Sequence, residues 1–170
     1  MSEAGARGAA GLRRAFDAAF AAEPGLARAA GVKLLTLAVH GDRYAVRLEQ
    51  AGGVARCGAL TPLPSRAPAL LGLAGLRGEA LPVFSLALLL GYPSAEPARW
   101  LLLGAAPAQA GLALGDFEGC VEADPEAFVQ SAEAAGAGRS GMVVRLGPHA
   151  HTLLDAAALF ASLRATKERY

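Results

Sequence analysis

Three histidines, two cysteines and a few carboxylates are the groups with which this 170-residue chain could do covalent or metal chemistry. His149 and His151 stand two positions apart. On a strand they would share a face, as a pair of metal ligands does. No third ligand of matching spacing accompanies them, and His40 is remote in sequence. The expectation is polar loop residues, with no metal and no cofactor. Cys57 follows Arg56, whose charge could lower the thiol's pKa; a small buried filler is the alternative. Cys57 and Cys120 are too few for a disulfide scaffold. Ser65, Ser85, Ser131 and Ser140 lack the GxSxG context of a nucleophile. No GxxxxGK[ST] loop is present, and the glycines at 72, 75 and 78 do not follow the dinucleotide spacing. Glu118, Glu122, Asp124 and Glu126 gather beside a proline and read as a solvated loop. Together these residues point away from an enzyme.

One charged residue is out of place. Arg77 sits between Leu76 and Gly78 in an apolar, glycine-rich stretch. A charge there must reach solvent or find a partner, because burying it alone costs several kcal/mol. It is either an outward-pointing arginine on a strand edge or an arginine used at an interface or in an ion pair.

The elements that would position these groups are short. Of the residues, 54% are hydrophobic and 18% charged, with a net charge of +1. That balance excludes intrinsic disorder and gives no electrostatic footprint for nucleic acid. The longest apolar run, Ala80–Leu90, is broken by Pro82 and falls short of the ~20 residues of a spanning helix. Asp17 breaks the N-terminal apolar stretch that a secretory signal would need. The expectation is a soluble, cytoplasmic protein with no membrane insertion. The 21 glycines and 10 prolines imply many turns and many short strands.

Residues 9–30 read as helix, with Leu12, Phe16 and Phe20 on one face, packing on the body or docking elsewhere. Leu34–Val39 and Tyr44–Leu48 form a hairpin around His40-Gly41-Asp42. Residues 51–60 read as a turn of helix followed by a short strand, and Thr61–Pro68, with three prolines, as an irregular connection. Leu70–Gly78 is a bent strand, and Glu79–Leu86 an edge or bulged strand because of Pro82. A helical turn follows at 87–90. Trp100–Leu103 pairs with Gly111–Leu114, and Phe117–Val121 extends that pairing. Residues 124–135 read as loop with one helical turn. Met142–Leu146 and His151–Leu154 are closing strands, and Asp155 caps a last helix, Ala156–Ala165. The class is mainly β, small barrels or a sandwich.

The run Leu63–Gly91, LPSRAPALLGLAGLRGEALPVFSLALLLG, resembles the signature of the CheW-like domain family. Gly72, Leu76, Arg77, Gly78, Leu81, Pro82, Val83, Phe84 and Leu86 fall on its pattern. The resemblance runs over residues 33–163 through the opening hairpin, the paired strands around 100–114 and the closing strands. It implies two packed small five-stranded SH3-like β-barrels over 33–165, an N-terminal helical extension over 1–32 and a tail at 166–170. It also implies a non-enzymatic adaptor linking chemoreceptor cytoplasmic tips to the regulatory domain of a CheA-type histidine kinase. Other CheW-like proteins are a further implied partner, and receptor arrays the implied location. The resemblance assigns partner binding to Arg77, Gly72, Leu76, Gly78 and Phe84, with an apolar groove of Val54, Leu63, Leu73, Leu81 and Val83.

The sequence departs from the family pattern at polar positions. Gly75 replaces an asparagine, Ser85 an aspartate, and Gly115 another aspartate, with Asp116 adjacent. Gly53 stands where a glutamate often pairs the arginine, with Glu49 nearby. Two alternatives stay open. One is a small anion- or ligand-binding β-barrel that uses Arg77 and would need converging donors around it. The other is a degenerate CheW-like protein that binds receptor without kinase.

Overall fold

Two tight turns of the same kind organise the chain. Strand β1 (Val32–Val39) returns as β2 (Asp42–Arg47), with Val39 opposite Asp42 and His40-Gly41 between them. His40 and Gly41 have φ of 49° and 87°. That is the type I′ geometry whose twist suits two-residue hairpins. The structure, a computed structural model, describes residues 31–106 and 109–167. The helix expected over 9–30, with Phe16 and Phe20, lies outside the described residues.

A 3₁₀ turn, Leu48–Gln50, leads into β3 (Ala51–Arg56) and the two-residue β4 (Leu60–Thr61). Then come β5 (Leu70–Leu76), β6 (Glu79–Ser85) and the one-turn helix α1 (Leu86–Leu89). They are followed by β7 (Trp100–Gly104), β8 (Gly111–Leu114) and β9 (Asp116–Ala123). A second 3₁₀ turn, Pro125–Ala127, precedes β10 (Phe128–Gly136), β11 (Arg139–Leu146), β12 (His149–Leu154) and helix α2 (Ala156–Lys167).

The strands sort into two modules. The first has the order β10-β11-β12-β2-β1-β9, the second β3-β7-β8-β6-β5-β4. Each contains a single parallel pairing, β12 with β2 and β6 with β8. The mainly β, two-module class expected from the sequence is what forms. Each module has six strands in open order rather than five in a closed barrel.

Several local expectations change. Residues 51–60 begin directly as β3, and the helical turn expected there lies just before it, as the 3₁₀ turn Leu48–Gln50. Residues 124–135 form a 3₁₀ turn and most of β10, not a loop. Alanine and glutamate are poor strand formers, and pairing of Phe128–Gln130 with Val144–Met142 overrides that preference. Phe117–Val121 does not extend the β7–β8 pairing; β9 crosses to the first module and pairs with β1. β6 is interior rather than an edge, yet it tolerates Pro82. Pairing with β8 begins only at Val83, so Pro82 has a neighbour on one side alone.

The cores follow from strand alternation. Ala45, Val144 and Leu153 join Leu34 inside the first module. Ala74, Val83, Leu101 and Ala113 fill the second. The largest cluster lies between modules. It joins Leu35, Leu37, Val39 and Val46 to Phe84, Leu86, Leu90, Leu102 and Leu112, sealed by Leu159, Phe160 and Leu163 of α2. Asp155 caps α2 as expected, its Oδ1 accepting from the Ala158 N–H at 2.9 Å.

Candidate functional site

The β5–β6 hairpin carries the resemblance, and its turn explains Arg77. Leu76 faces Glu79, so Arg77-Gly78 is the whole connection. Their φ values, 53° and 86°, make a second type I′ turn. Arg77 is therefore at an exposed tip, in a backbone conformation that a side chain with a Cβ adopts at some cost. Among the described residues it has neither an ion pair nor a hydrogen-bond partner. Glu49 is exposed and does not pair with it. Leu76 is half-buried beside the tip and Gly78 exposed.

Gly72 has a structural task. Its φ is +145°, at a bulge in the β5–β6 ladder. A Cβ there would enter the space of the Thr61 carbonyl oxygen, so glycine lets β4 lie against β5.

The residues expected to line one groove divide between two faces. Ala74 pairs with Leu81, and Val83 follows two residues later, so Leu81 and Val83 point into the second module. Val83 is 0% exposed and so is a core residue, not a groove wall. Leu73 pairs with Pro82, whose face continues to Phe84; at 7% exposure Phe84 is packed in the inter-module cluster. Val54 lies against that same cluster, opposite Leu102. Leu63 is 41% exposed on the loop after β4. Of the expected partner-binding set, Arg77, Gly78 and Leu63 are presented outward; Leu73, Leu76, Val54 and Leu81 are partly covered. Gly72, Val83 and Phe84 are structural.

The departures from the family pattern also find physical reasons. The Ser85 hydroxyl accepts from the Leu88 N–H at 3.3 Å and caps α1, the task an aspartate would perform there. Gly53 has φ +122° at a bulge in β3. Gly115 is buried, and a Cβ on it would lie 3.5 Å from the Glu96 carboxyl, a poor place for a second carboxylate. Gly75 is exposed with open space beyond its Cα.

A polar cleft of about 320 Å³ lies in the first module instead, lined by Asp42, Arg43, Tyr44, Glu133, Arg139 and Thr152. Sequence reasoning gave no sign of it, because its residues come from four strands. It is not the pocket that an anion-binding reading of Arg77 requires, since Arg77 belongs to the other module. His149 and His151 do not act together. His149 is exposed, whereas His151 is 3% exposed with Nε2 3.6 Å from Glu118 Oε2. Burial pushes the His151 pKa down, with Arg43 and His149 adding to the effect and Glu118 opposing it. Among the described residues no group of three or more His, Cys, Asp or Glu could hold a metal ion. Burial raises the Cys57 pKa, so the thiol form is favoured despite Arg56. Arg56 is spent over the Trp100 ring, 4.4 Å from its centroid.

Two β modules that share one apolar core, with their distinctive side chains on hairpin tips, define a two-module β domain. A comparison with protein families matches the CheW-like domain over residues 33–164. The chain belongs to the CheW-like domain family, whose members are scaffolds in chemosensory signalling rather than enzymes. The scaffolding protein TtCheW from Thermoanaerobacter tengcongensis has a similar fold. The two superpose with a TM-score of 0.64 at 13% identity, covering 73% of this chain and 88% of that one. Comparison with curated protein sequences gives no match. No helix among the described residues is long and apolar enough to cross a membrane.

Proposed function

We propose that the chain is an adaptor that couples the cytoplasmic tips of chemoreceptors to the regulatory domain of a CheA-type histidine kinase. The observation that carries this reading is the family match, which runs through both modules from β1 to α2. The outward set, Arg77 at its hairpin tip and Leu63 on the loop after β4, supplies a charged point and an apolar point for partner contact. Tolerated polar departures at Ser85 and Gly115 favour a working adaptor over a degenerate one, because the fold itself accounts for both.

The test is a binding titration of the full chain against the regulatory domain of a CheA-type kinase and against a receptor-tip fragment from the same genome. Binding to both is expected. Binding to the receptor tip alone would replace the coupling role with that of an uncoupled array component. Binding to neither would overturn the reading.

A further inference from the structure

A polar cluster lies where the two modules meet, and nothing in the partner-binding reading uses it. The β1–β2 turn belongs to the first module, and residues 92–96, after α1, to the second. His40 stacks on Tyr92, with ring centroids 4.9 Å apart and planes 22° from parallel. His40 Nε2 lies 3.0 Å from the Ser94 carbonyl oxygen, which only accepts, so Nε2 carries the proton. The His40 backbone N–H donates to Glu96 Oε1 at 2.8 Å.

A directed chain of hydrogen bonds backs this contact. A guanidinium only donates and a carboxylate only accepts. Arg139 Nη2 donates to the Tyr44 hydroxyl at 3.2 Å, Tyr44 donates to the Tyr92 hydroxyl at 2.7 Å, and Tyr92 donates to Asp42 Oδ2. Each phenol thus gives one bond and accepts one. Three residues of the first module hold one phenol of the second between opposite charges.

The apolar cluster between the modules holds them together, but hydrophobic contact has little directionality. Hydrogen bonds and ring stacking at its rim do have direction. His40 also occupies a left-handed backbone position, φ 49°, that asparagine or glycine would fill more readily. A strained conformation kept by a residue whose side chain makes two interactions and whose backbone N–H makes a third indicates that the residue is used.

We propose that this cluster is a latch that sets the angle between the modules, with His40 and Tyr92 as positioning residues for simultaneous engagement of two partners. The coupling role rests on the adaptor reading above. A partner that touches one module is indifferent to the latch. Two partners held on different modules feel the angle.

The test uses the full chain with Tyr92→Phe, which removes both hydroxyl bonds and keeps the stack, and His40→Asn. The second leaves an Asn-Gly turn, so the hairpin itself is favoured and folding is preserved. Amide hydrogen exchange reads the latch directly, through the His40 N–H. Exchange there should rise by about tenfold or more while the Leu37 and Leu102 amides hold their rates. Affinity for each partner alone should stay within about twofold, and the coupling between the partners should fall by about fivefold or more. Unchanged exchange at His40 would overturn the latch. Uniform acceleration across both modules would reduce it to a general contribution to stability. Faster exchange with intact coupling would overturn the positioning role. If the unaltered chain binds no partner, the adaptor reading fails and the coupling role falls with it, while the exchange data still decide the latch.

Discussion

Replacing Arg77 with asparagine should make the protein more stable and the adaptor weaker. The two effects have separate causes. Arg77 sits at φ 53° with Gly78 at φ 86°, the two central positions of a type I′ turn. A residue with a Cβ in the left-handed region costs roughly 1–2 kcal/mol, and asparagine tolerates it several-fold better than most. Arg77 has no ion pair or hydrogen bond among the described residues, so nothing offsets the gain when it is removed. Arg77→Asn should therefore stabilise the fold by about 0.5–1 kcal/mol, a rise in Tm of about 1–4 °C for a chain of this size.

Urea unfolding of the two proteins measures the first effect, with an upward shift of the midpoint at unchanged slope. Titration of the same samples with the kinase domain and the receptor tip measures the second. An arginine at an interface centre contributes more than ~1 kcal/mol, so Kd with the partner that contacts it should rise about tenfold. Arg77→Ala is the control: it loses the guanidinium without gaining turn propensity, and should keep the fold and weaken binding alike. A lower midpoint for Arg77→Asn would refute the turn argument. A midpoint that rises with unchanged affinity for both partners would show that Arg77 is not a contact residue.

Gly72→Ala should cost about 2–4 kcal/mol, because a Cβ at φ +145° meets the Thr61 carbonyl and strips β4 from the sheet; urea unfolding checks it, and a loss under 1 kcal/mol would show that the loop yields. Val83→Asp places a carboxylate at a fully buried site and should unfold the protein, whereas Leu81→Asp, half-exposed, should leave a folded, weakened one; circular dichroism separates them, and equal behaviour would mean the strand alternation is misassigned. His151 should make the fold acid-sensitive. Its folded pKa lies below the ordinary 6.5, so the unfolded chain takes up the proton first; stability is full above that pH and is lost as pH falls through the folded value. The groups facing it are Glu118, Arg43 and His149, and unfolding midpoints from pH 7.5 to 5.5 should fall less steeply for His151→Gln than for the unaltered chain.

The β1–β2 hairpin was legible because its signal is local: His40-Gly41 stands between two apolar runs, and glycine supplies the second positive φ. The β5–β6 turn was not, although Arg77-Gly78 has the same form, because its glycine falls in a run with glycines at 72 and 75 that reads as one bent strand. What else escaped depends on partners far along the chain. Strand β10 has an alanine-rich end with weak preference of its own, and β11 holds its start in place. β9 reads as a continuation of β8, yet Gly115 carries the chain into the other module, where β1 receives it. The residues expected to line one groove fall on two faces for a simpler reason. Leu73, Leu81 and Val83 are all apolar and close in sequence, but the pairings of Leu73 with Pro82 and Ala74 with Leu81 put them on opposite faces. Tyr92 follows the helical turn at 87–90, where no local pattern marks a contact; its partners are Asp42 and Tyr44, fifty and forty-eight residues away.

The polar positions at which this chain departs from its family bear on function through the fold. An aspartate at Ser85 would cap α1, and the serine hydroxyl already does so. An aspartate at Gly115 would face Glu96, whose Oε1 holds the His40 backbone N–H. Glu96 Oε1 is tied to the hairpin while its Oε2 is buried without a partner, so a second carboxylate beside it would add repulsion and find no donor. The loss of charge at Gly115 and the presence of Glu96 are therefore one arrangement, in which the acid that meets the β1–β2 turn is supplied by the second module. Arg77, with no partner of its own among the described residues, is then the free charge on the hairpin that carries the family pattern.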